Sequence, residues 1–204
     1  TEIRPYVLRV SPANDNPKKI SNEAKRLKEI QKELVPNPAL YIFEDSLKPL
    51  GYRFMIQEMM PGNSVIENLP AYTILEAKEF LTNLAHILGS LHSKRAKTYD
   101  SYYIEDKTTK KYSFANYIMM ELKRTIKNFK DLKLDVELNI DTQYLYKWCK
   151  GHRPLLNISG FSLIHGDIRP SNILTNGPRI TGLIDWEMSC YSDPAQDIGW
   201  SLFF

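Results

Sequence analysis

The stretch "LIHGDIRPSNIL", residues 163–174, runs straight into "TNGPRITGLID", and together they constrain this chain more than any other feature. His165, Asp167 and Asn172 break two apolar runs in a segment too short and too bound by proline to be a helix. The residues that follow set short apolar arms on either side of Asn176-Gly177, a strong β-hairpin signal. The outer ends of a hairpin lie side by side. Asn172, opening the first arm, and Asp185, closing the second, are therefore expected at one edge, with Asp167 on the loop just before it. Three oxygen-bearing side chains converging on one point can hold a hard divalent cation such as Mg²⁺, which prefers oxygen ligands and keeps water or phosphate oxygens in its shell. Taken singly, each reads better as a turn cap, because Asp and Asn commonly satisfy loop backbone. The three together, at these spacings, favour a site.

Upstream, Tyr6 to Val10 alternates as a strand does. A helix is expected from about Ser21 to Leu34, with Ser21 or Asn22 as N-cap. Leu27, Ile30 and Leu34 form its apolar stripe, and Glu23 falls on the same face. A carboxylate on a core stripe calls for a partner. "ALYIFE" and "YRFMIQEM" read as two further strands joined by a turn near Lys48 to Gly51, completing a small α+β lobe.

After "MMPGNS" the pattern turns helical. Thr73 to Glu76 reads as a capping box, and Ile74, Ala77, Leu81, Leu84, Leu88 and Leu91 make a stripe. Two aromatic-rich helices follow, "FANYIMMELKRTIKNF" and "TQYLYKWCK", whose rings can serve a core or line a pocket. A last helix opens with Asp193 as N-cap and Pro194 in its first turn.

Composition narrows the function classes. A net charge of +3, with Lys and Arg scattered among Asp and Glu, makes no case for nucleic acid. No apolar run approaches the roughly 20 residues needed to cross a bilayer. Cys149 and Cys190, far apart and without metal-ligand company, fit two thiols in a reducing, cytoplasmic setting rather than a disulfide framework.

"HGDIRPSNIL", "LIDWE" and "DPAQD" occur in order with proper separations. They resemble the H-G-D-x-x-x-x-N-(I/V)-L, I-D-(W/F) and D-P-x-x-D motifs of the aminoglycoside phosphotransferase and choline kinase-like superfamily, over nearly the whole chain. The resemblance implies an α+β, protein-kinase-like fold of two lobes: a small antiparallel-sheet lobe over residues 1–60 and a mainly helical lobe over residues 61–204. Asp167 would be the base toward an acceptor hydroxyl, and Asn172 and Asp185 would bind Mg²⁺ on the phosphates of ATP. Asp197 would brace the catalytic loop through its backbone, and His165 would support that loop. Arg9 stands where protein kinases usually carry Lys on an early strand, with Glu23 its partner; a surface arginine is the lesser alternative. "MIQEMMPG" resembles the hinge that takes adenine by backbone bonds, near Gln57 and Met59.

The activity implied is transfer of the γ-phosphoryl group of ATP to a hydroxyl of a small molecule: an aminoglycoside, choline, another amino-alcohol or a sugar. No membrane or nucleic-acid partner is implied. An atypical protein kinase, or a nucleotide-binding pseudokinase scaffold, is the alternative. Arg169 sits where Ser/Thr protein kinases carry a Lys, but the span from Asp185 to the last helix is too short for their activation segment. All three site residues are present, against a pseudokinase. No Gly-rich phosphate-covering loop precedes "YVLRV", and the last helix leaves Ile198, Leu202 and Phe203 uncovered, so a piece of a longer protein, truncated at both ends, is expected.

Overall fold

Strand β1, Tyr6–Ser11, points Tyr6, Leu8 and Val10 to solvent and turns Val7 and Arg9 inward, the period of two expected of a half-covered strand. The computed structural model describes residues 5–12, 16–30, 35–100, 114–156 and 160–203. Helix α1, Pro17–Glu29, follows, then β2, Leu40–Glu44, and β3, Arg53–Glu58, which lies between β1 and β2 in an antiparallel sheet. Helix α1 covers one face of that sheet, burying Ile20, Ala24 and Leu27 in the same cluster as Met55 of β3.

Helix α1 begins a full turn before the expected caps. Asn16 accepts a bond from the Lys18 backbone at 3.0 Å and a proline takes the first helical position. Asn22 is no cap because its side chain is spent elsewhere, on the carbonyls of Glu187 and Ser189. The helix ends at Glu29, Ile30 is extended, and the expected continuation through Leu34 lies outside the described residues.

Past β3, the two-residue strand β4, Asn63–Ser64, leads into the short helix α2, Val65–Asn68, and then α3, Ile74–His92. The capping box is present: the Glu76 backbone donates to Thr73 Oγ1 at 3.2 Å, and the Thr73 backbone donates to Glu76 Oε2 at 2.8 Å. The stripe is only partly right. Phe80, Leu84, Leu88 and Leu91 are buried, whereas Ile74 and Leu81 are 89% and 61% exposed. The pattern held an i, i+4, i+8, i+11 solution through Phe80 as well as one through Leu81, and packing selected the first.

The chain divides into two compact units, Thr1–Tyr103 with Phe161–Phe204, and Ile104–Gly160. The first unit also holds β5, Arg95–Ala96, and β6, Phe161–Ile164, with β7, Ile173–Asn176, β8, Arg179–Leu183, β9, Cys190–Ser192, and, last, a helix over Ala195–Phe203. Its two further antiparallel sheets have the orders β4-β7-β8 and β5-β6-β9. A single core joins α1, α3, the loop residue Ile168, the hairpin and Trp186. The second unit contains α4, Phe114–Asp131, α5, Leu134–Glu137, and α6, Thr142–Gly151, so the last helix of the chain is α7. Within it Phe114, Ala115 and Met119 are buried and Arg153 donates to Asn116 Oδ1. Cys149 and Cys190 are free thiols, and no helix among the described residues is long and apolar enough to cross a membrane.

The two solutions for the α3 stripe are separable by stability. Leu91→Ala should lower the unfolding free energy by about 2–5 kcal/mol, as deletion in a filled core does, while Leu81→Ala should stay within about 0.5 kcal/mol of the parent. Urea denaturation of the two variants checks this, and comparable losses would restore Leu81 to the core.

Candidate active site

Strand β6 is buried along its whole length, so the loop that leaves it starts from a fixed point. Asp197, fully buried on α7, sets its course. The backbone N–H groups of His165 and Gly166 donate to its Oδ2 and Oδ1 at 2.9 and 2.8 Å, and His92 Nε2, from the end of α3, meets Oδ2 at 2.9 Å. Gly166 then turns with φ +85°, and a Cβ there would stand 2.5 Å from the Met188 carbonyl oxygen. Only glycine fits both the left-handed backbone and the close approach.

His165 is buried and works as a strut. Its Nε2 lies 3.1 Å from the Ile184 carbonyl oxygen, while its Nδ1 accepts from the Asp167 backbone at 3.3 Å. That pairing requires the neutral ring with its proton on Nε2, and burial, the dominant cause, lowers the His165 pKa in the same sense. The ring also packs at 4.3 Å from the Trp186 ring.

Asp167 is thereby delivered to the end of the loop with its carboxylate held on both sides. Oδ1 accepts from Trp200 Nε1 and Oδ2 from Asn172 Nδ2, each at 2.8 Å, and Arg169 Nε approaches Oδ2 at 3.2 Å. Asn172 Nδ2 also donates to the Asp167 backbone oxygen at 3.0 Å, which turns Asn172 Oδ1 the other way. The hairpin does what its turn predicted. The Ile184 backbone donates to the Asn172 carbonyl at 3.0 Å, so Asp185 follows beside Asn172 at one edge. Asp185 adopts φ 68°, a left-handed conformation that non-glycine residues seldom take and that Asp tolerates.

Arg9 and Glu23 are ion-paired at 2.7 Å. The guanidinium is shared further than expected, with Asp185 Oδ1 at 3.2 Å and Glu187 Oε2 at 3.6 Å, and Lys19 reaches Glu187 at 3.3 Å. Burial pushes the Glu23 carboxyl up to about 7 against the pull of Arg9, with Asp185 and Glu187 adding to the rise. Burial works against the Arg9 charge too, yet its carboxylates hold it above the ordinary value. The directions agree physically: among the described residues, three carboxylates share two cations. Gln57 lies inside the sheet, in register with Val7 on one side and Leu40 on the other, and Met59 stands exposed just past the strand end.

The roles of Trp200 and His92, and the bonds of Asn22 to distant carbonyls, are not among the sequence expectations. Trp200 carried a usable signal, since it sits three residues after Asp197 on one helix and so shares its face. Asn22 and His92 carried none, because their partners lie more than 100 residues away.

A strand–helix–two-strand lobe, an HGD loop tied to a buried Asp and a carboxylate at a hairpin edge define the kinase-like phosphotransferase fold. The chain belongs to the phosphotransferase enzyme family, whose pattern matches residues 1–204. It is 24% identical over 212 residues to the probable acyl-CoA dehydrogenase IBR3 of Arabidopsis thaliana, covering 98% of this chain and 25% of that protein. Solved structures share its fold, two of which serve as examples. One is a thermostable mutant of aminoglycoside phosphotransferase APH(4)-Ia in apo form, at TM-score 0.64 and 18% identity, covering 96% of this chain and 64% of that one. The other is the streptomycin–ATP–APH(2")-IIa ternary complex, at TM-score 0.62 and 19% identity, covering 94% of this chain and 62% of that one. The chain thus spans a quarter of the curated relative and under two thirds of the solved chains.

The Glu23 shift has a sign that stability reports. Because the folded value of about 7 lies above the ordinary 4.5, the folded state binds this proton more tightly than the unfolded state. The stability it contributes is present below pH 4.5 and is lost as pH rises through about 7. The melting temperature of the parent relative to Glu23→Gln should therefore fall across that window and level off above it. A difference that is flat or grows with pH would mean the carboxylate is comfortable where it sits.

Proposed function

We propose that the protein carrying this chain transfers the γ-phosphoryl group of ATP to a hydroxyl of a small molecule, with Mg²⁺ as cofactor. The observation that carries this reading is the Asp167 carboxylate, fixed by Trp200 and Asn172 on a loop braced by Asp197, beside the edge where Asn172 and Asp185 meet. In such a transfer the protein supplies positioning and charge compensation more than covalent chemistry. Asp167 would orient the acceptor hydroxyl and take its proton, with Trp200 and Asn172 preventing the carboxylate from rotating away.

The residues present suit a divalent cation. Asn172 Oδ1 and the Asp185 carboxylate are hard oxygen donors, and among the described residues the cluster around Arg9 holds three carboxylates against two cations. They would hold Mg²⁺, which when bound neutralises phosphate charge. Arg9, held by Glu23, would meet the α- and β-phosphates, and the backbone near Met59 would take the adenine. ATP as the donor accords with the ATP complex of the fold neighbour.

A small-molecule acceptor is favoured over a protein by the span after Asp185. A single turn, Trp186–Met188, and β9 fill it before α7 begins at Ala195. That leaves no activation segment of protein-kinase length. The aminoglycosides of the fold neighbours mark one acceptor class, and choline, other amino-alcohols and sugars are alternatives that one fold can serve.

Asp167→Asn in the full-length protein should reduce turnover about 10²- to 10⁴-fold, the range for a positioned base, with nucleotide affinity nearly unchanged. ADP release measured across a panel of alcohols, alongside nucleotide titration, checks both halves. Undiminished turnover would remove Asp167 from this role.

A further inference from the structure

The second unit carries a cavity of about 330 Å³ lined by Lys123, Ile126 and Lys130 of α4 and by Thr142, Tyr146 and Lys147 of α6. Positions 123, 126 and 130 follow the i, i+3, i+7 spacing of one helix face, and 142 and 146 are four apart on the other helix. The floor is therefore built by the helix period and not by loop geometry. Thr142 is buried, Ile126 and Tyr146 are half-buried, and the three lysines of the lining are exposed. Lys123 Nζ lies 5.9 Å from the centre of the Tyr146 ring.

The charge around this cavity is one-sided. Between residues 114 and 156 the chain has eight Lys and Arg against five Asp and Glu. Several of those acids are engaged elsewhere: Glu121 pairs with Arg124, Asp131 with Lys127, and Asp141 accepts the backbone N–H groups of Gln143 and Tyr144. No carboxylate among the described residues pairs with Lys123, Lys130 or Lys147. Three like charges around one apolar hollow repel each other, and an anion entering it would relieve that repulsion.

We propose that this cleft between α4 and α6 binds an organic anion: a phosphate, sulfate or carboxylate group on an apolar or aromatic body. The anionic group sits among the three ammonium groups, and the body lies against Ile126 and Tyr146. Cationic molecules of the same shape are excluded. The site stands within the second unit alone and does not depend on the phosphotransfer reading.

Phenyl phosphate is a suitable probe, followed by amide chemical shifts of the ¹⁵N-labelled full chain, with benzylamine as the cationic counterpart. Phenyl phosphate should shift the amides of Thr142, Gln143 and Tyr146 saturably, and benzylamine should not. Lys123→Gln with Lys147→Gln should weaken the phosphate about tenfold or more, the scale of two charge-assisted contacts, while Lys123→Arg with Lys147→Arg should keep the affinity. The absence of a saturable shift, equal binding of benzylamine, or unchanged affinity in the double glutamine variant would overturn the proposal. So would equal weakening in both double variants, because the lysine stems and not their charges would then be responsible.

Discussion

A single buried carboxylate, that of Asp197, holds the candidate site together. A charge with no exposure to water is tolerated only when its oxygens are satisfied, and here three donors from two other segments do that work: two backbone N–H groups of the loop and the ring of His92. The consequence is geometric. Helix α7, the end of α3 and the loop after β6 are tied at one point, and everything downstream of His165 is placed from it. Trp200, on the same face of α7 as Asp197, then reaches Asp167. One helix thus fixes both the loop backbone that leads to the proposed base and the side chain of that base.

The second organising element is electrostatic. Arg9 bridges the small sheet to α1 through Glu23 and to the hairpin edge through Asp185 and Glu187. Segments far apart in the chain are joined by one guanidinium whose planar fork can serve several carboxylates at once, which a point-charge lysine would do less well. Asn22 reinforces the join from the helix side, donating to the carbonyls of Glu187 and Ser189. The arrangement leaves Glu23 disfavoured as an anion and Asp185 in a left-handed backbone conformation. Local cost concentrated at one edge of an otherwise apolar core is what a functional site looks like in physical terms.

Much of this was readable in one dimension, and the rest was not, for identifiable reasons. The hairpin, the capping box at Thr73 and the pairing of Glu23 with a cation came from local rules: turn residues, cap spacing and a carboxylate on an apolar stripe. The start of α1 is not fixed by local sequence because Asn16 and Ser21 are both plausible caps, and Asn22 is engaged by carbonyls in a distant segment. The α3 stripe is ambiguous in sequence because Leu81 and Phe80 are neighbours on the helix and only the packing partner distinguishes them.

By itself, then, the sequence determined which residues can do chemistry and which meet locally: the loop after β6, the edge that joins Asn172 to Asp185, and the order of motifs that marks the family. These depend on backbone preferences and short spacings that any isolated segment expresses. Only the tertiary structure decided that Trp200 holds Asp167, that Arg9 is divided among three carboxylates, and that the lysines of α4 and α6 face one hollow. Those facts depend on distances between residues remote in sequence, and burial and charge balance have values only once the chain has closed around them.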